Sequence, residues 1–319
     1  MRQVKISKWL ASAVVCSLLL AAGCANKFAL RFTPQDSTTC RVISETERSI
    51  KWEGSLPEEP AFKGGRNHDR LEMTFAQEIQ SVDDKGNAIA KIIIKELKYS
   101  SIVKDSSAFE FDSSKPKDPN HPLAKLIGQS YTLKIAPTGE VTEVIDTKEA
   151  ETAVRKGSVP PGIALRLLNS EVIKERHGTL VLPDADKNQL HIGDNWSSTR
   201  TFSFGMMGSE SYEKIYTLKE IKKVNNHQIA VAEMKAIPSS EMAEELHKEQ
   251  TTGVFSKMFD NTETYSGQLK LDLTAGKVQE YFEKLRTEWV MVDPRPDPNK
   301  EPAALKMAAT RLYSLEKID

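Results

Sequence analysis

Residues 71–97 read LEMTFAQEIQSVDDKGNAIAKIIIKEL, and this stretch decides the fold class. Its first ten residues alternate, placing Leu71, Met73, Phe75, Gln77 and Ile79 on one face, the period of a half-buried strand. Asp83-Asp84-Lys85-Gly86-Asn87 has the composition of a hairpin turn. The run that follows is dense in β-branched residues, whose stiff side chains suit a pleated sheet better than a helix. The stretch predicts an antiparallel hairpin.

Working outward, residues 113–122 (SSKPKDPNHP) have loop composition. A second hairpin follows: YTLKI, the turn Ala136-Pro137-Thr138-Gly139, then EVTEVI. The period then changes. Residues 147–156 look helical, and Pro160-Pro161 opens a second helix that stops at His177-Gly178. In that helix Ala164, Leu167, Leu168, Glu171 and Val172 share one side, with Arg166, Lys174 and Glu175 elsewhere. Strands resume with WSSTRTFSF, EKIYTLKEI and QIAVAEMKAI, separated by Gly205-Met206-Met207-Gly208 and Asn225-Asn226. A short helix is expected at 240–247, then GQLKLDL, the turn Thr274-Ala275-Gly276 and a long strand to Val292. Residues 293–302 form a proline-rich tip. The last segment alternates through Leu305, Met307 and Ala309, with Tyr313 and Leu315 beyond, and reads as a returning strand with a helix as its alternative.

The two strand-rich halves resemble each other. LKIAPTGEVTE (133–143) aligns with LKLDLTAGKVQE (269–280), and each half carries an upstream hairpin and a Trp-containing strand (Trp52, Trp196). The expected architecture is α+β, mostly antiparallel β. Two similar halves form curved sheets packed with a few helices, either crossing one another or joined into one large sheet. The divisions are 1–23, a signal; 24–146, a first β-rich repeat; 147–178, a helical connector; and 179–319, a second β-rich repeat.

The signal rests on a basic start (Arg2, Lys5, Lys8), an apolar run from Trp9 to Leu20 and the exit Leu20-Ala21-Ala22-Gly23-Cys24. The apolar run is about half of the ~20 residues a membrane span needs. Ending on Gly-Cys makes this a lipoprotein signal, with Cys24 as the lipidated first residue of the mature chain, anchored to a membrane rather than spanning it. The next residue is Ala25, not Asp. Similarity to Gram-negative lipoproteins then implies the cell envelope, on the periplasmic face of the outer membrane.

Removing the signal leaves about 296 residues and shifts the net charge from −1 to about −4. Charge is well mixed, and without a basic stripe no nucleic-acid partner is expected. Of three cysteines, Cys16 leaves with the signal and Cys24 takes the lipid. Cys40 stands alone, a small buried hydrophobe with no intramolecular disulfide.

Catalytic and metal motifs are not found. There is no H-E-x-x-H, no G-x-S-x-G elbow and no Walker loop. His68, His121, His177, His191, His227 and His247 are scattered. Asp184-Ala185-Asp186-Lys187-Asn188 begins like a calcium loop but has Gln189 at the sixth place and Asn195 at the twelfth. Glu58-Glu59, Asp83-Asp84 and Glu244-Glu245 read as solvated charge. No cofactor, metal or catalytic residue is therefore expected.

SEVIKERHG, then LVLP (180–183), then HIGDNWSS (191–198) resembles a widespread bacterial lipoprotein family of unknown function. Members of that family carry a helix, a Leu-Pro step and a Gly-Asp-x-Trp motif at the start of a second half. Residues 128–141 are similar to its first-half motif. The resemblance implies an envelope location and an antiparallel architecture, and it carries no catalytic residues. Physically, Gly193-Asp194 makes a tight turn and Trp196 supplies a large buried anchor. The function expected first is a non-catalytic binding or structural module holding a lipid or other apolar ligand, by analogy with lipoprotein-carrier half-barrels. A scaffold that contacts an envelope protein comes second, and an envelope hydrolase third.

Overall fold

The computed structural model describes residues 26–54, 64–115, 120–156, 160–239, 260–292 and 302–319. Its elements are β1 (Asn26–Lys27), β2 (Ser37–Glu53), β3 (Gly65–Val82), β4 (Ala88–Val103), β5 (Ser106–Asp112), β6 (Ser130–Ile135), β7 (Val141–Asp146), α1 (Lys148–Arg155), α2 (Gly162–Leu167), α3 (Ser170–His177), β8 (Gln189–Leu190), β9 (Asn195–Ser203), β10 (Ser209–Val224), β11 (His227–Pro238), β12 (Asp260–Asp272), β13 (Lys277–Val292) and β14 (Ala304–Lys317). Cys24, the helix expected at 240–247 and residues 293–301 of the tip lie outside the described residues.

Among the described residues, twelve strands form one antiparallel sheet in the order β7-β6-β4-β3-β2-β14-β13-β12-β11-β10-β9, with β5 on the side of β4. The hairpin of residues 71–97 is β3 and β4, paired from His68↔Ile102 to Val82↔Ala88. The final segment is a strand, as its alternation predicts, and it is the seam of the molecule. β14 pairs with β13 on one side and with β2 on the other, from Ala304↔Glu53 to Lys317↔Cys40. Of the two arrangements open from sequence, the strand-rich halves therefore take the single joined sheet. The two tryptophans are not equivalent in it. Trp52 is next to last in β2, whereas Trp196 is second in β9.

The sheet curls around the segment between α2 and β9. The Trp196 indole N–H on β9 donates to the Val181 carbonyl, and the next residue, Leu182, donates its N–H to Thr138 in the β6–β7 turn. β6 and β9 are nine strand positions apart, which would be ~43 Å in a flat sheet. Adjacent residues reach both only because the sheet wraps over them. The chain ahead of β2 ties the same end. Leu30 N–H donates to Pro137 at 2.7 Å and Arg31 N–H to Gly276 at 2.9 Å, linking the β6–β7 and β12–β13 turns. The Arg31 guanidinium also donates to the Leu273 and Thr274 carbonyls. A Cβ on Gly276 would sit 2.7 Å from the Arg31 side chain, at a backbone φ of +66°, so glycine is required for this close approach.

The helical connector departs from expectation in one respect. The helix opened by Pro160-Pro161 is two helices, because Asn169 adopts an extended backbone and its side chain accepts the Glu171 N–H at 3.0 Å. An Asn at that position caps a new helix rather than continuing the old one. The break re-phases the apolar face: Ala164, Leu167 and Leu168 are buried as expected, but Ile173 and Arg176 replace Glu171 and Val172 in the core. The second departure is β5, a strand that the alternation of neighbouring segments did not reveal.

Candidate ligand site

Alternation along a strand assigns every second residue to the interior, and three strands place charge in that phase. β14 turns Leu305, Met307, Ala309, Arg311 and Tyr313 inward, β13 turns Tyr281, Glu283, Leu285, Thr287 and Trp289, and β10 turns Tyr212, Lys214, Tyr216 and Leu218. Cross-strand register sets Tyr313 opposite Glu283, Arg311 opposite Leu285 and Met307 opposite Trp289. On the other flank, Arg311 faces Thr46, Ala309 faces Arg48 and Met307 faces Ile50. The interior therefore runs from an aromatic end, through a charged band, to an apolar end, the open end, where a cavity reaches the exposed Arg48 side chain.

The charged band is a closed network. Glu283 accepts from Arg200 at 2.8 Å, from Lys214 at 3.2 Å and from the Tyr281 hydroxyl at 2.5 Å. Lys214 also donates to the Thr179 carbonyl at 2.9 Å, and the Tyr216 and Tyr281 hydroxyls lie 2.9 Å apart. The side chains of Lys214 and Glu283 are 1% and 5% exposed. Burial pulls the Lys214 ammonium below its ordinary range, opposed by the Glu283 charge, and burial followed by that same charge pushes the Tyr281 phenol up. These groups satisfy one another, which is a positioning use of charge. Sequence reading missed Lys214, Glu283 and Arg311. The available signal was a charge in the inward phase of an otherwise apolar alternation.

Beside the band, His177 packs between Phe75 (ring centroids 4.9 Å apart) and Tyr131, whose hydroxyl is 2.7 Å from Nε2. Burial, and then the Arg176 charge, lower its pKa to about 3. The folded chain holds this imidazole neutral, while the unfolded chain protonates it near pH 6.5. Stability is thus complete above that value and is lost as pH falls toward 3. At pH 5 the loss relative to pH 8 is expected to reach about 2 kcal/mol, an upper bound because part of the residue touches solvent. Urea unfolding at both pH values checks this. The difference should vanish in His177→Gln, and an unchanged difference would assign it to other groups.

The open end holds an apolar cavity of about 380 Å³, lined among others by Ile50, Phe204, Met207, Trp289 and Met307, with Arg48, Asn67 and Lys104 at its polar edge. Its size falls at the lower end for sites that take small organic ligands. The Phe204 and Trp289 rings meet edge to face at 5.2 Å. Phe202, one inward step before Phe204, carries two guanidinium groups, Arg200 and Arg311, each 4.9 Å from its ring centre. The carbonyl of Ser203 accepts from Arg48 and from Arg311, each at 3.2 Å. On the adjacent strand β10 the Tyr212 hydroxyl bonds both Glu210 and Glu263, and burial raises the Glu210 pKa.

A second, smaller cavity of about 100 Å³ lies at the tied end, under Leu30 and Phe32, and includes Cys40, Phe75, Ile79, Ile135 and Leu315. Burial, then the nearby Asp319, pushes the Cys40 thiol up to about 12. Cys40 is half-buried rather than fully buried, and a thiol held protonated is a weak nucleophile. Among the described residues no cluster of His, Cys, Asp or Glu could hold a metal ion, and no helix is long and apolar enough to cross a membrane.

Gly193 and Trp196, the motif carried by the family resemblance, sit away from the open-end cavity. Gly193 adopts φ +98° and Asp194 accepts the His191 N–H at 2.8 Å, forming the tight turn. Trp196 stacks on Tyr216 with centroids 4.9 Å apart and 6° between the planes.

No protein-family model matches the chain, and no curated protein matches it. Among solved structures, a lipovitellin structure described for its lipid–protein interactions is similar at a TM-score of 0.37 and 15% identity, covering 91% of this chain. The chain spans about a quarter of the length of that protein, 26%.

Proposed function

We propose that this chain is a non-catalytic envelope lipoprotein, attached through lipid on Cys24, whose curved sheet holds an apolar ligand at its open end. The observation that carries the reading is the apolar cavity bounded by Ile50, Phe204, Trp289 and Met307. Apolar lining with a few polar groups at the edge is the usual composition of a ligand site. The lipobox-like exit at Cys24 and the family resemblance support the location. The repeated order of strand, hairpin and hairpin in the two halves supports a duplicated origin.

The test uses the chain from residue 24 with Cys24→Ser, which cannot be acylated and retains every described element. It is titrated with 1-N-phenylnaphthylamine, a neutral probe that fluoresces in apolar surroundings. Saturable binding is expected, weakened about tenfold or more by Ala309→Trp, which fills the cavity with a large side chain. Absence of binding, or equal binding by a folded Ala309→Trp chain, would remove the reading.

A further inference from the structure

We infer that the ligand is an anionic amphiphile, its tail in the open-end cavity and its carboxylate or phosphate headgroup held by Arg48 and Arg311. This deepens the apolar-ligand reading and rests on it.

The first observation is charge balance at the cavity. Its described lining contains two cations, Arg48 and Lys104, and no carboxylate. The second is the arrangement of the arginines. Arg48 and Arg311 reach from neighbouring strands to one acceptor, the Ser203 carbonyl. Their donor nitrogens therefore lie no further apart than twice a hydrogen-bond length. Two like charges that close repel, most strongly where water is scarce. Arg311 is in that position: its side chain is 25% exposed, and burial, then the charges of Arg48 and Arg200 against that of Glu175, lower its pKa.

The third observation is the lack of adequate counter-charge. Among the described residues the carboxylate that meets Arg311 is Glu175, at a loose 3.8 Å, and the same Oε1 is already held by Arg200 at 3.0 Å. Glu283 is committed to Arg200 and Lys214. The Glu210–Glu263 pair is held by the Tyr212 hydroxyl, although Glu210 is the register partner of Phe202. A guanidinium fork is suited to oxygen anions, which it can grip with two parallel donors. Arg48 lines the cavity itself, so a headgroup bonded there leaves the tail facing Ile50, Met307 and Trp289.

The test compares ligands of equal tail length below their micelle concentrations: decanoate, decyl phosphate, decanol and decyltrimethylammonium. Each displaces 1-N-phenylnaphthylamine from the unacylated chain. The two anions should bind on the order of tenfold tighter than decanol, with the cation weakest. The advantage over decanol should shrink with added salt and fall to within about twofold in Arg48→Gln/Arg311→Gln. Lengthening the tail by one methylene should tighten all of them roughly fourfold. If Arg311→Gln does not fold, Arg48→Gln alone, at an exposed side chain, should still lose about threefold of the advantage. Anions and decanol binding equally, or an advantage untouched by the arginine variants, would overturn the headgroup assignment while leaving the apolar site standing. Failure of the neutral probe itself would remove both.

Discussion

Glu283→Ala is expected to destabilise the fold by about 3–5 kcal/mol, the cost of leaving buried charge without its partner. Glu283 is the hub of the interior band, holding Arg200, Lys214 and the Tyr281 hydroxyl at once. Removing it strands Lys214, whose side chain is 1% exposed. The Thr179 carbonyl remains as its acceptor, but a neutral dipole replaces a charge. Arg200 suffers less because Glu175 also holds it, at 3.0 Å. The double variant Lys214→Met/Glu283→Leu is expected to recover part of the loss, since an apolar pair of similar volume removes both the attraction and the desolvation. Urea unfolding followed by circular dichroism measures both. A cost below about 1 kcal/mol for Glu283→Ala would show that water reaches the band and screens it.

The same network shows how far the sequence could be read. Alternation in residues 71–97 and in the C-terminal segment located β3, β4 and β14, because strands with one buried face repeat every second residue and a shift of one would expose the core. The curvature was not legible. It depends on contacts such as Trp196 to Val181 and Leu182 to Thr138, between residues whose separation in sequence says nothing about their separation in space. The helix break at Asn169 was available in principle, as an Asn followed by an acidic residue in the next turn, here Glu171, is a cap signal. It was masked by the continuous run of helix-forming residues on either side. The open-end cavity escaped for another reason. Ile50, Phe204, Trp289 and Met307 have the residue types of a core, and only their meeting around a cavity distinguishes lining from core. Arg311 was visible as a charge in the inward phase of β14, a cue that sequence reading did not use.

Trp196→Ala is expected to cost about 3–5 kcal/mol and to loosen the edge of the sheet before the rest. The indole is 8% exposed, stacks on Tyr216 and lies 5.8 Å from Phe28, so the substitution opens a hole between β9, β10 and the chain ahead of β2. It also leaves the Val181 carbonyl without the indole N–H that it accepts at 3.0 Å. Because β9 pairs with β10 alone among the described strands, its amides should lose hydrogen-exchange protection ahead of those in β2, β13 and β14. Trp196→Phe keeps an aromatic face on Tyr216 but loses the indole N–H, and should cost about 1–3 kcal/mol. It also separates two roles for the Gly-Asp-x-Trp motif. Trp196 and Phe204 are eight residues apart along extended chain, ~26 Å. A structural anchor at that distance predicts that Trp196→Phe leaves 1-N-phenylnaphthylamine binding unchanged while lowering stability. Loss of probe binding with stability intact would instead place the ligand at the motif, and would move the functional site to the tied end of the sheet.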